Sequence, residues 1–448
     1  MIFKLEKPNL SKLDFSDISK AFSAETKSEL FDFLKRLDSV DSGYLFFDKI
    51  KYKEPSPSGI SKEVLWMVVK FFRDSKSINT VIKDKGGNYF KWSKLDYFEE
   101  FFHEIDMNTG GEIFIENNAF EKINKQKLIT RGIMEEAIAS SQLEGAATSR
   151  QAAKKMLREG RKPINKSEQM ILNNYLSMKA IEDDYKDREM SIDLILELHS
   201  LITKDTLDAQ NEKPRMRTFG EPIYVNDDVS GAVYHEGPEM DFVEKELDRL
   251  VKFANDSLEE NTFMHPIIRA IMLHFWMGYL HPFTDGNGRL ARLLFYWYLI
   301  RKKYWAFVYL PISKVIKESP KQYIMSYVYT EQDDNDMTYF LDYNIRKIKI
   351  AVNDFEKYII SQSVNNMRMK KNCDLKFKLN ARQIQLLQYL YGDSNERTSL
   401  KIHMNVNQIS KMTASNDLKD LKKKGFLISE KQGRHVYYYG TKKVKELF

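Results

Sequence analysis

The sequence predicts a mainly α-helical protein that contains several domains. Its 448 residues are 42% hydrophobic, which is enough to build packed cores and excludes global disorder. From about residue 128 onward, most segments place apolar residues at three- and four-residue intervals, as amphipathic helices do. One stretch, 217–238, breaks this helical pattern and reads as a β-hairpin instead.

The first 127 residues are predicted to form an α+β region, and the sequence does not indicate its role. Helical patterns occupy Ser28–Leu37 and Ser61–Phe72, whereas Tyr44–Ile50 reads as a strand or a loop. The segment PSPSG at 55–59 and the pair Gly86-Gly87 are typical of turns. This region therefore precedes the helical core without pointing to a chemistry.

Residues 128–362 are predicted to form the helical core. Apolar periodicity predicts helices over Ile129–Gln142, Lys166–Tyr185, Ile192–Thr203, Met240–Ala254, Pro266–Met277, Arg289–Arg301 and Met337–Gln362. Within this core, Arg217–Pro238 carries Gly, Pro and an Asn-Asp-Asp turn between β-branched and aromatic residues. That combination predicts a hairpin that projects from the helices.

A polar linker is predicted over 363–377, followed by a separate C-terminal unit over 378–448. Its pattern is a helix, a short helix, a longer helix over Ser410–Lys424 and two strands, which resembles a winged helix-turn-helix. Residues 366–448 carry 18 basic and 7 acidic side chains, whereas the rest of the chain carries 52 and 57. This basic surplus suits DNA, and winged helices also serve as protein-interaction modules. The candidate DNA contacts are Ser415, Asn416, Lys419 and Arg434.

The composition argues against membrane insertion, export and cysteine chemistry. The longest apolar stretch, Leu293–Ile300, is far shorter than the roughly 20 residues that cross a bilayer. The N-terminus carries charges where a signal peptide needs an apolar segment. The single cysteine, Cys373, excludes an intramolecular disulfide and a cysteine-cluster zinc site. We therefore expect a soluble, cytoplasmic protein.

The segment His281–Arg292 (HPFTDGNGRLAR) lies between two predicted apolar helices and carries the strongest chemical signal. The Gly-Asn-Gly run 286–288 lets the backbone bend tightly and presents N–H groups at the positive end of the next helix. Such an arrangement binds anions, phosphate in particular. Arg289 and Arg292 are three residues apart, so both guanidinium groups are predicted to project from one side of the helix and extend this site.

Two further residues of the segment suggest phosphoryl-type chemistry. Asp285 would repel phosphate unless a cation lay between them, so Mg²⁺ bridging carboxylate and phosphate is the economical interpretation. His281 has an imidazole that can accept a proton near neutral pH. Each feature alone has an ordinary structural explanation. Eight specified positions together would arise by chance on the order of once in 10¹⁰ trials.

The same eight residues resemble the signature HxFx(D/E)GNGRxxR of the Fic (filamentation induced by cAMP) domain family without departure. They are His281, Phe283, Asp285, Gly286, Asn287, Gly288, Arg289 and Arg292. The resemblance extends over about 128–360. It implies an all-α core that transfers AMP from ATP to a hydroxyl of a target protein.

The resemblance also implies a role for each residue. His281 would be the general base that deprotonates a target Ser, Thr or Tyr, and Asp285 would hold Mg²⁺ on the α- and β-phosphates. The remaining ATP-binding residues implied are Gly286, Asn287 and Gly288, which form the anion hole, and Arg289 and Arg292, which hold the β- and γ-phosphates. These roles agree with the needs of in-line attack on a phosphate.

A second family pattern lies upstream, in MEEAIASSQLEGAA. Ser140, Glu144 and Gly145 fit the inhibitory pattern (S/T)xxxE(G/N), which in the family lies on a helix packed over the ATP site. By that resemblance Glu144 would pair with Arg292 and occupy the space of the γ-phosphate. A Ser and a Glu four residues apart are also common on ordinary amphipathic helices.

Other residues are assigned by their position relative to the motif. The hairpin corresponds to the family's flap, which covers the nucleotide and pairs with a target segment, with Ile223, Tyr224 and Val225 as its wall. Tyr323 matches an aromatic position near the adenine. Three histidines outside the motif receive no chemical role: His235 is expected to be exposed on the flap, and His265 and His274 are expected to be structural.

The sequence therefore predicts a Mg²⁺- and ATP-dependent protein adenylyltransferase that modifies a target protein or itself and is inhibited by Glu144. Its partners would be ATP, an unidentified target protein and DNA, and members of the family often self-associate. One alternative is a DNA-binding regulator whose core senses nucleotide. Another keeps the fold but removes AMP, or transfers a different phosphate-linked group.

Overall fold

Helices make up most of the part of the chain that the computed structural model describes, as predicted. That part comprises residues 2–10, 16, 27–52, 61–109, 125–207, 214–227, 230–258, 263–373, 377–392, 397–433 and 435–445. Its helices are α1 (Lys27–Asp41), α2 (Phe47–Ile50), α3 (Lys62–Lys76), α4 (Tyr97–Thr109), α5 (Lys125–Leu143), α6 (Arg150–Glu159), α7 (Lys166–Asp183), α8 (Ile192–Thr203), α9 (Met240–Ala254), α10 (Pro266–Leu280), α11 (Asn287–Arg301), α12 (Ile312–Lys317), α13 (Pro320–Gln332), α14 (Thr338–Cys373), α15 (Ala381–Gly392), α16 (Leu400–Asn407), α17 (Lys411–Lys423) and α18 (Lys442–Lys445). Short 3₁₀ turns occupy Tyr185–Asp187 and Trp305–Tyr309.

The described strands form three small antiparallel sheets. They are β1 (Ile78–Lys83), β2 (Tyr89–Trp92), β3 (Tyr224–Asn226), β4 (Val233–Glu236), β5 (Arg397–Ser399), β6 (Leu427–Gln432) and β7 (His435–Gly440). The first two sheets are the hairpins β1-β2 and β3-β4, and the third has the order β5-β7-β6. The β3-β4 hairpin lies within the predicted 217–238 segment, with Tyr224 opposite Glu236 and Val225 opposite His235.

Local sequence explains where several helices begin. The Ser149 hydroxyl accepts a hydrogen bond from the backbone N–H of Ala152 at the start of α6. The Asn165 side chain accepts one from the N–H of Glu168 at the start of α7, at 2.8 Å. Such caps satisfy N–H groups that have no partner within the helix.

Several predicted segments differ from the observed elements. Tyr44–Ile50, read as a strand or loop, ends in the short helix α2, and the turn at 55–59 lies outside the described residues. Residues 363–373, read as a polar linker, instead belong to α14, which runs to Cys373. That stretch contains no Gly or Pro and therefore nothing that would stop a helix. The sequence did not predict β1, β2, α4, α6 or β5.

The helices α10 and α11 lie at the centre of the main hydrophobic core. Both are apolar on nearly all sides, and Trp276 and Trp297 are fully buried. A helix that is hydrophobic all round belongs inside a core. No helix in the described ranges is both long and apolar enough to cross a membrane. The loop that joins α10 to α11 therefore has both of its ends fixed by buried helices.

Hydrophobic contacts extend this core to the N-terminal hairpin, whereas the C-terminal elements have a separate core. Ile82, Phe90 and Phe98, from β1, β2 and α4, belong to the same buried cluster as α10 and α11. The C-terminal elements have a cluster of their own, which includes Leu387 and Leu418. The N-terminal hairpin thus packs directly on the helical core, and the predicted domain limits stay predictions.

Candidate functional site

The loop between α10 and α11 has a tightly defined backbone. His281 ends α10 in the left-handed conformation, with φ 47° and ψ 53°, and Gly286, with φ 87°, precedes α11. The Asn287 amide closes the loop, since Oδ1 accepts from the Phe283 N–H at 3.0 Å and Nδ2 donates to the Phe283 carbonyl at 2.7 Å. The Asn287 side chain therefore shapes the loop, and only its backbone N–H could serve the predicted anion hole.

The loop leaves His281 with one nitrogen suited to accept a proton. Nδ1 lies 2.8 Å from the carbonyl oxygen of Gly278, and a carbonyl can only accept, so Nδ1 carries the proton. In the neutral ring Nε2 then holds a free lone pair. Burial, together with the nearby charge of His235, lowers the pKa of His281 to about 4. His281 is thus a neutral base at physiological pH, as its predicted role requires.

Arg292 joins the two sequence motifs by direct contacts. Its Nε donates to the Ser140 hydroxyl at 2.8 Å, and its Nη2 donates to the Ser140 carbonyl at 2.9 Å. The same Nη2 lies 3.0 Å from Oε1 of Glu144. Burial disfavours the charged guanidinium, but the neighbouring groups together, Glu144 first among them, outweigh burial, so the pKa of Arg292 lies above its ordinary value. The predicted contact between Glu144 and Arg292 is present.

The Glu144 carboxylate also lies against the first turn of α11. A side chain begun at Gly288 would meet Oε1 of Glu144 at 2.3 Å, so only a glycine leaves room for the carboxylate there. The positive end of a helix attracts anions. Glu144 therefore occupies the position where the sequence predicts a phosphate.

The two arginines of the motif do not converge on this position. Arg289 is fully buried; it donates to the Ile202 carbonyl at 2.9 Å and to Oδ1 of Asp285 at 3.2 Å. It therefore faces α8, whereas Arg292 faces α5. A three-residue step also turns the side chains about 60° apart around the helix, and the prediction that both guanidinium groups extend one anion site stays a prediction.

Asp285 keeps an accessible carboxylate. Its side chain is 44% exposed, and Oδ1 accepts from the Gly286 N–H at 2.5 Å as well as from Arg289. No hydrogen bond within the described ranges uses Oδ2. No group of three or more potential metal-ligating side chains occurs among the described residues. Asp285 could thus supply one oxygen to a metal that obtains its other ligands elsewhere.

The hairpin lies beside His281, but its predicted wall residues do not share a face. A Cβ added to Gly237 would lie 2.4 Å from Cγ2 of Ile223 and 3.4 Å from Cβ of His281, so Ile223 reaches toward the loop. Tyr224 is 45% exposed. Successive residues of a strand point to opposite sides. Tyr224 therefore points away from the side on which Ile223 lies.

Sequence reasoning missed Arg217, which links the hairpin to the loop between α10 and α11. Its guanidinium donates to the carbonyl of His281 at 2.7 Å and to the carbonyls of Glu221 and Pro238, each at 2.9 Å. Its backbone N–H also donates to the Pro282 carbonyl at 2.8 Å. All these partners are backbone carbonyls, which every residue type provides. The sequence around Arg217 therefore does not distinguish it from an arginine that is exposed to solvent.

Two histidines outside the motif support the site. His235, expected to be exposed, is buried, with Nδ1 2.8 Å from Oε2 of Glu331 and Nε2 2.8 Å from the Tyr279 carbonyl. Burial lowers its pKa, but Glu331 and the hydrogen bond to the Tyr279 carbonyl together more than offset this, so the net shift is upward. His199 was missed: its ring stacks on Phe283 at 3.6 Å, and its Nε2 donates to the Asp285 carbonyl at 2.8 Å.

The remaining aromatic and histidine residues named in the sequence analysis are Tyr323, His274 and His265. They lie near Arg292 or at the start of a helix. Tyr323, predicted to lie near the adenine, has its hydroxyl 2.7 Å from Nε2 of the buried His274. Burial and then the charge of Arg292 lower the pKa of His274 to about 3. Nδ1 of His265 accepts from the Ile267 N–H at the start of α10. His265 and His274 thus have the structural contacts expected of them.

Three of the four candidate DNA contacts lie on α17. Asn416 and Lys419 are exposed and Ser415 is half-buried, whereas Leu418 on the other side enters the C-terminal core. Arg434 lies outside the described residues. The described contacts thus leave the predicted face of α17 open, and its winged-helix function stays a prediction.

Comparison with known proteins identifies the segment that carries this site. The Fic/DOC family model matches residues 189–299. Protein adenylyltransferase fic-1 of Caenorhabditis elegans is 39% identical over 106 residues, which are 24% of this chain and 18% of that protein. Protein adenylyltransferase Fic of Nematostella vectensis is 33% identical over 111 residues, 24% of this chain and 22% of that protein. The chain thus spans about a fifth of the length of these curated relatives.

Solved structures give a weaker likeness. A Fic family protein from Desulfovibrio desulfuricans has a TM-score of 0.47 at 18% sequence identity. The match covers 78% of this chain and 97% of that one.

Proposed function

We propose that the protein is a protein adenylyltransferase, on the basis that its residues 189–299 match the Fic/DOC family model. It would transfer AMP from ATP to a Ser, Thr or Tyr hydroxyl of a target protein or of itself. The observation that carries the proposal is the neutral, correctly protonated His281 beside a helix end that already holds a carboxylate. A base next to an anion site is what nucleotidyl transfer to a hydroxyl requires.

The proposed reaction is an in-line displacement at the α-phosphorus of ATP. Nε2 of His281 accepts the proton of the target hydroxyl as its oxygen forms a bond to the α-phosphorus. The bond between the α-phosphorus and the oxygen that bridges to the β-phosphate breaks, and pyrophosphate leaves. The backbone N–H groups at the start of α11 stabilise the negative charge on the phosphate oxygens.

Asp285 is the residue proposed to hold Mg²⁺. Magnesium in nucleotide sites is commonly bound by one or two carboxylates together with substrate phosphates, so a single accessible carboxylate fits. The exposure of Asp285 and its unused Oδ2 support this assignment. When bound, Mg²⁺ would neutralise phosphate charge. Within this chain, Arg289 fixes the orientation of Asp285 through Oδ1.

Glu144 is proposed to keep the enzyme in a resting state. Its carboxylate contacts Arg292 at 3.0 Å and fills the space beside Gly288. A phosphate there would face a negative charge and a blocked guanidinium. Ser140 adds two hydrogen bonds that hold Arg292 on the side of α5. ATP would therefore bind unproductively until Glu144 moves away.

The reaction class can be tested with ATP labelled at different phosphates. The Glu144→Gly variant, incubated with Mg²⁺ and a mixture of candidate target proteins, should attach label to protein from α-labelled ATP and not from γ-labelled ATP. Labelling from γ-labelled ATP would indicate phosphorylation and contradict the proposal. Loss of label from AMP-modified protein without added ATP would favour AMP removal instead.

The basic C-terminal unit supports a second proposal, DNA binding. Residues 366–448 carry a surplus of 11 positive charges, with 18 basic and 7 acidic side chains. Asn416 and Lys419 lie exposed on α17. Side chains of this kind contact base edges and phosphates when a helix enters the major groove. Self-association remains a prediction from the family resemblance alone.

A further inference from the structure

A row of residues at four-residue intervals lies on α5 and directly after its end. They are Gly132, Glu136, Ser140 and Glu144. Residues four apart lie on the same face of a helix. On α11 the residues that contact this row are also four apart; they are Gly288, Arg292 and Tyr296. Two matching rows therefore lie side by side.

The polar contacts between the two rows extend beyond the inhibitory pattern. Arg292 contacts both Glu144 and Ser140. One turn earlier on α5 and one turn later on α11, Oε2 of Glu136 lies 2.7 Å from the Tyr296 hydroxyl. The inhibitory pattern begins at Ser140, so this third contact lies outside it. The contacts thus join α5 to α11 over about two helical turns, roughly 12 Å.

Glu136 is also held by a second helix. Ser313, in the first turn of α12, donates its backbone N–H to Oε2 of Glu136 at 2.9 Å, and its hydroxyl donates to Oε1. Glu136, Tyr296 and Ser313 are each at most 2% exposed. Burial raises the pKa of Glu136, and the hydrogen bonds from Ser313 and Tyr296 offset this only in part. A carboxyl group is therefore buried here at a cost in free energy.

The Glu136 contacts specify a position for α5 more than they add stability. An apolar side chain of similar volume in place of a buried ionisable group often gives equal or greater stability. Hydrogen bonds, in contrast, depend on direction and weaken steeply when their geometry changes. The contacts of Glu136 therefore favour one rotation and one height of α5 against α11 and α12.

That rotation and height decide where Glu144 lies. Glu144 follows the last residue of α5, and its carboxylate reaches Arg292 and Gly288 from there. The Glu144 side chain is 27% exposed, so solvent screens its ion pair with Arg292. A contact of this kind contributes little by itself to holding a helix. The carboxylate stays at the start of α11 because α5 is fixed elsewhere.

We propose that Glu136 is a positioning residue that fixes α5, so that Glu144 stays over the anion site at the start of α11. Tyr296 and Ser313 supply the hydrogen bonds through which it acts. The inference rests on the proposed function, because it assumes that Glu144 restrains transfer. Without the Glu136 contacts, α5 can turn or shift, and the restraint weakens although Glu144 itself is unchanged.

The role of Glu136 is tested in the full chain by labelling from α-labelled ATP with Mg²⁺ and candidate target proteins. Glu136→Ala should raise labelling at least about fivefold above wild type, because it removes several buried hydrogen bonds. In a Glu144→Gly background it should add nothing, since no carboxylate is left to displace. A variant with a damaged fold would instead lose activity in both backgrounds. Tyr296→Phe keeps the ring, should act in the same direction, and serves where Glu136→Ala does not fold.

A conservative replacement and a neighbouring control complete the series. The amide of Glu136→Gln can keep the contacts: its oxygen can accept from Ser313 N–H and the Tyr296 hydroxyl, and its nitrogen can donate to the Ser313 hydroxyl. This variant should label as wild type does. Glu135→Ala removes the adjacent carboxylate, which pairs with Arg150 of α6, and should also label as wild type does. Increased labelling in Glu135→Ala equal to that in Glu136→Ala would contradict the specific role of Glu136.

Hydrogen exchange without ATP separates failure of this inference from failure of the proposed function. Amides of α5 over 136–143 should exchange faster in Glu136→Ala and at the wild-type rate in Glu136→Gln. Exchange that matches wild type in both Glu136→Ala and Tyr296→Phe would overturn the role of Glu136. Labelling that matches wild type in both, while Glu144→Gly is active, would overturn it too. If Glu144→Gly is inactive, the proposed function fails, and the exchange rates still decide whether Glu136 fixes α5.

Discussion

Among single residues, His281 owes its proposed chemistry to neighbours outside the HPFTDGNGRLAR motif. The Gly278 carbonyl sets its tautomer, while burial and then His235 lower its pKa. His235 in turn is held between Glu331 and the Tyr279 carbonyl. The motif predicts that a base is present, but the protonation of that base depends on contacts that the motif does not contain.

The first prediction concerns pH. The pKa of His281 is lowered from 6.5 to about 4, so the ring is neutral, and able to accept a proton, at pH values above about 4. Transfer by Glu144→Gly should therefore not depend on this group between pH 6 and 8 and should fall as pH drops toward 4. The measurement is kcat/KM against pH with the same target. An acid limb centred near pH 6.5 would contradict the assignment.

The second prediction uses Glu331. Glu331→Gln removes the carboxylate that favours the charged form of His235, so His235 should become neutral over more of the pH range. Its charge then no longer lowers the pKa of His281, and the acid limb of kcat/KM should move to higher pH. An unchanged limb in a variant with wild-type melting temperature would show that His235 does not influence the base.

At the scale of elements, the site depends on how closely α5 and the hairpin approach the loop. A Cβ added to Gly132 of α5 would lie 2.4 Å from the Val308 carbonyl oxygen and 2.6 Å from Cα of Tyr309. The hairpin is similarly tied down by Arg217. The α5 contact brings backbone atoms against backbone atoms, and the hairpin contact joins a guanidinium group to backbone carbonyls. A substitution at either contact should therefore displace the whole helix or the whole hairpin.

The third prediction concerns the close packing of α5 at Gly132. Replacing a helical glycine with alanine ordinarily stabilises by roughly 0.5–1 kcal/mol. Gly132→Ala should do the opposite and destabilise by about 1–3 kcal/mol, because the new methyl group meets backbone atoms that cannot move freely. Displaced α5 should also loosen Glu144 and raise basal transfer. Denaturant unfolding and the labelling assay measure the two effects, and a stabilised variant would contradict the close approach.

The fourth prediction concerns the hairpin. Arg217→Gln removes most hydrogen bonds to the carbonyls of His281, Glu221 and Pro238. Amide hydrogens of β3 and β4 should then exchange faster. The kcat/KM of Glu144→Gly should fall at least about tenfold, because the hairpin no longer holds the segment of the target protein that pairs with it. Arg215→Gln, whose side chain is more exposed and pairs with Glu221, is the control and should leave exchange in β4 unchanged.

At the scale of the whole molecule, the sequence predicted the parts that carry local signals. The motif and the helices around it follow from residue identity and periodicity over short windows, whereas the contact of Glu144 with Arg292 is implied by the resemblance to the Fic family. Arg217 and His199 act through backbone carbonyls brought near by folding, so no local pattern marks them. The polar composition of 363–373 predicts a linker, but α14 continues to Cys373 because this stretch contains no helix breaker.

The last prediction concerns the basic C-terminal unit in the full chain. If α17 contacts DNA, Lys419→Gln should weaken binding to mixed-sequence duplex DNA and reduce its salt dependence by about one ion, because one phosphate contact is lost. Lys155→Gln, on α6, serves as the control and should bind DNA as wild type does. Affinities measured at several salt concentrations decide this. Equal affinities and salt slopes for all three proteins would exclude a phosphate contact by Lys419.

His281 is proposed to accept the proton of the target hydroxyl, and Glu144 is proposed to restrain the same site. Both proposals are tested together by attachment of label from α-labelled ATP with Mg²⁺ in wild type, Glu144→Gly and the double variant Glu144→Gly with His281→Ala, at matched concentrations. We expect weak labelling of wild type, strong labelling of Glu144→Gly and loss of nearly all label in the double variant. Strong labelling that persists without His281, or equal labelling of wild type and Glu144→Gly, would contradict these proposals.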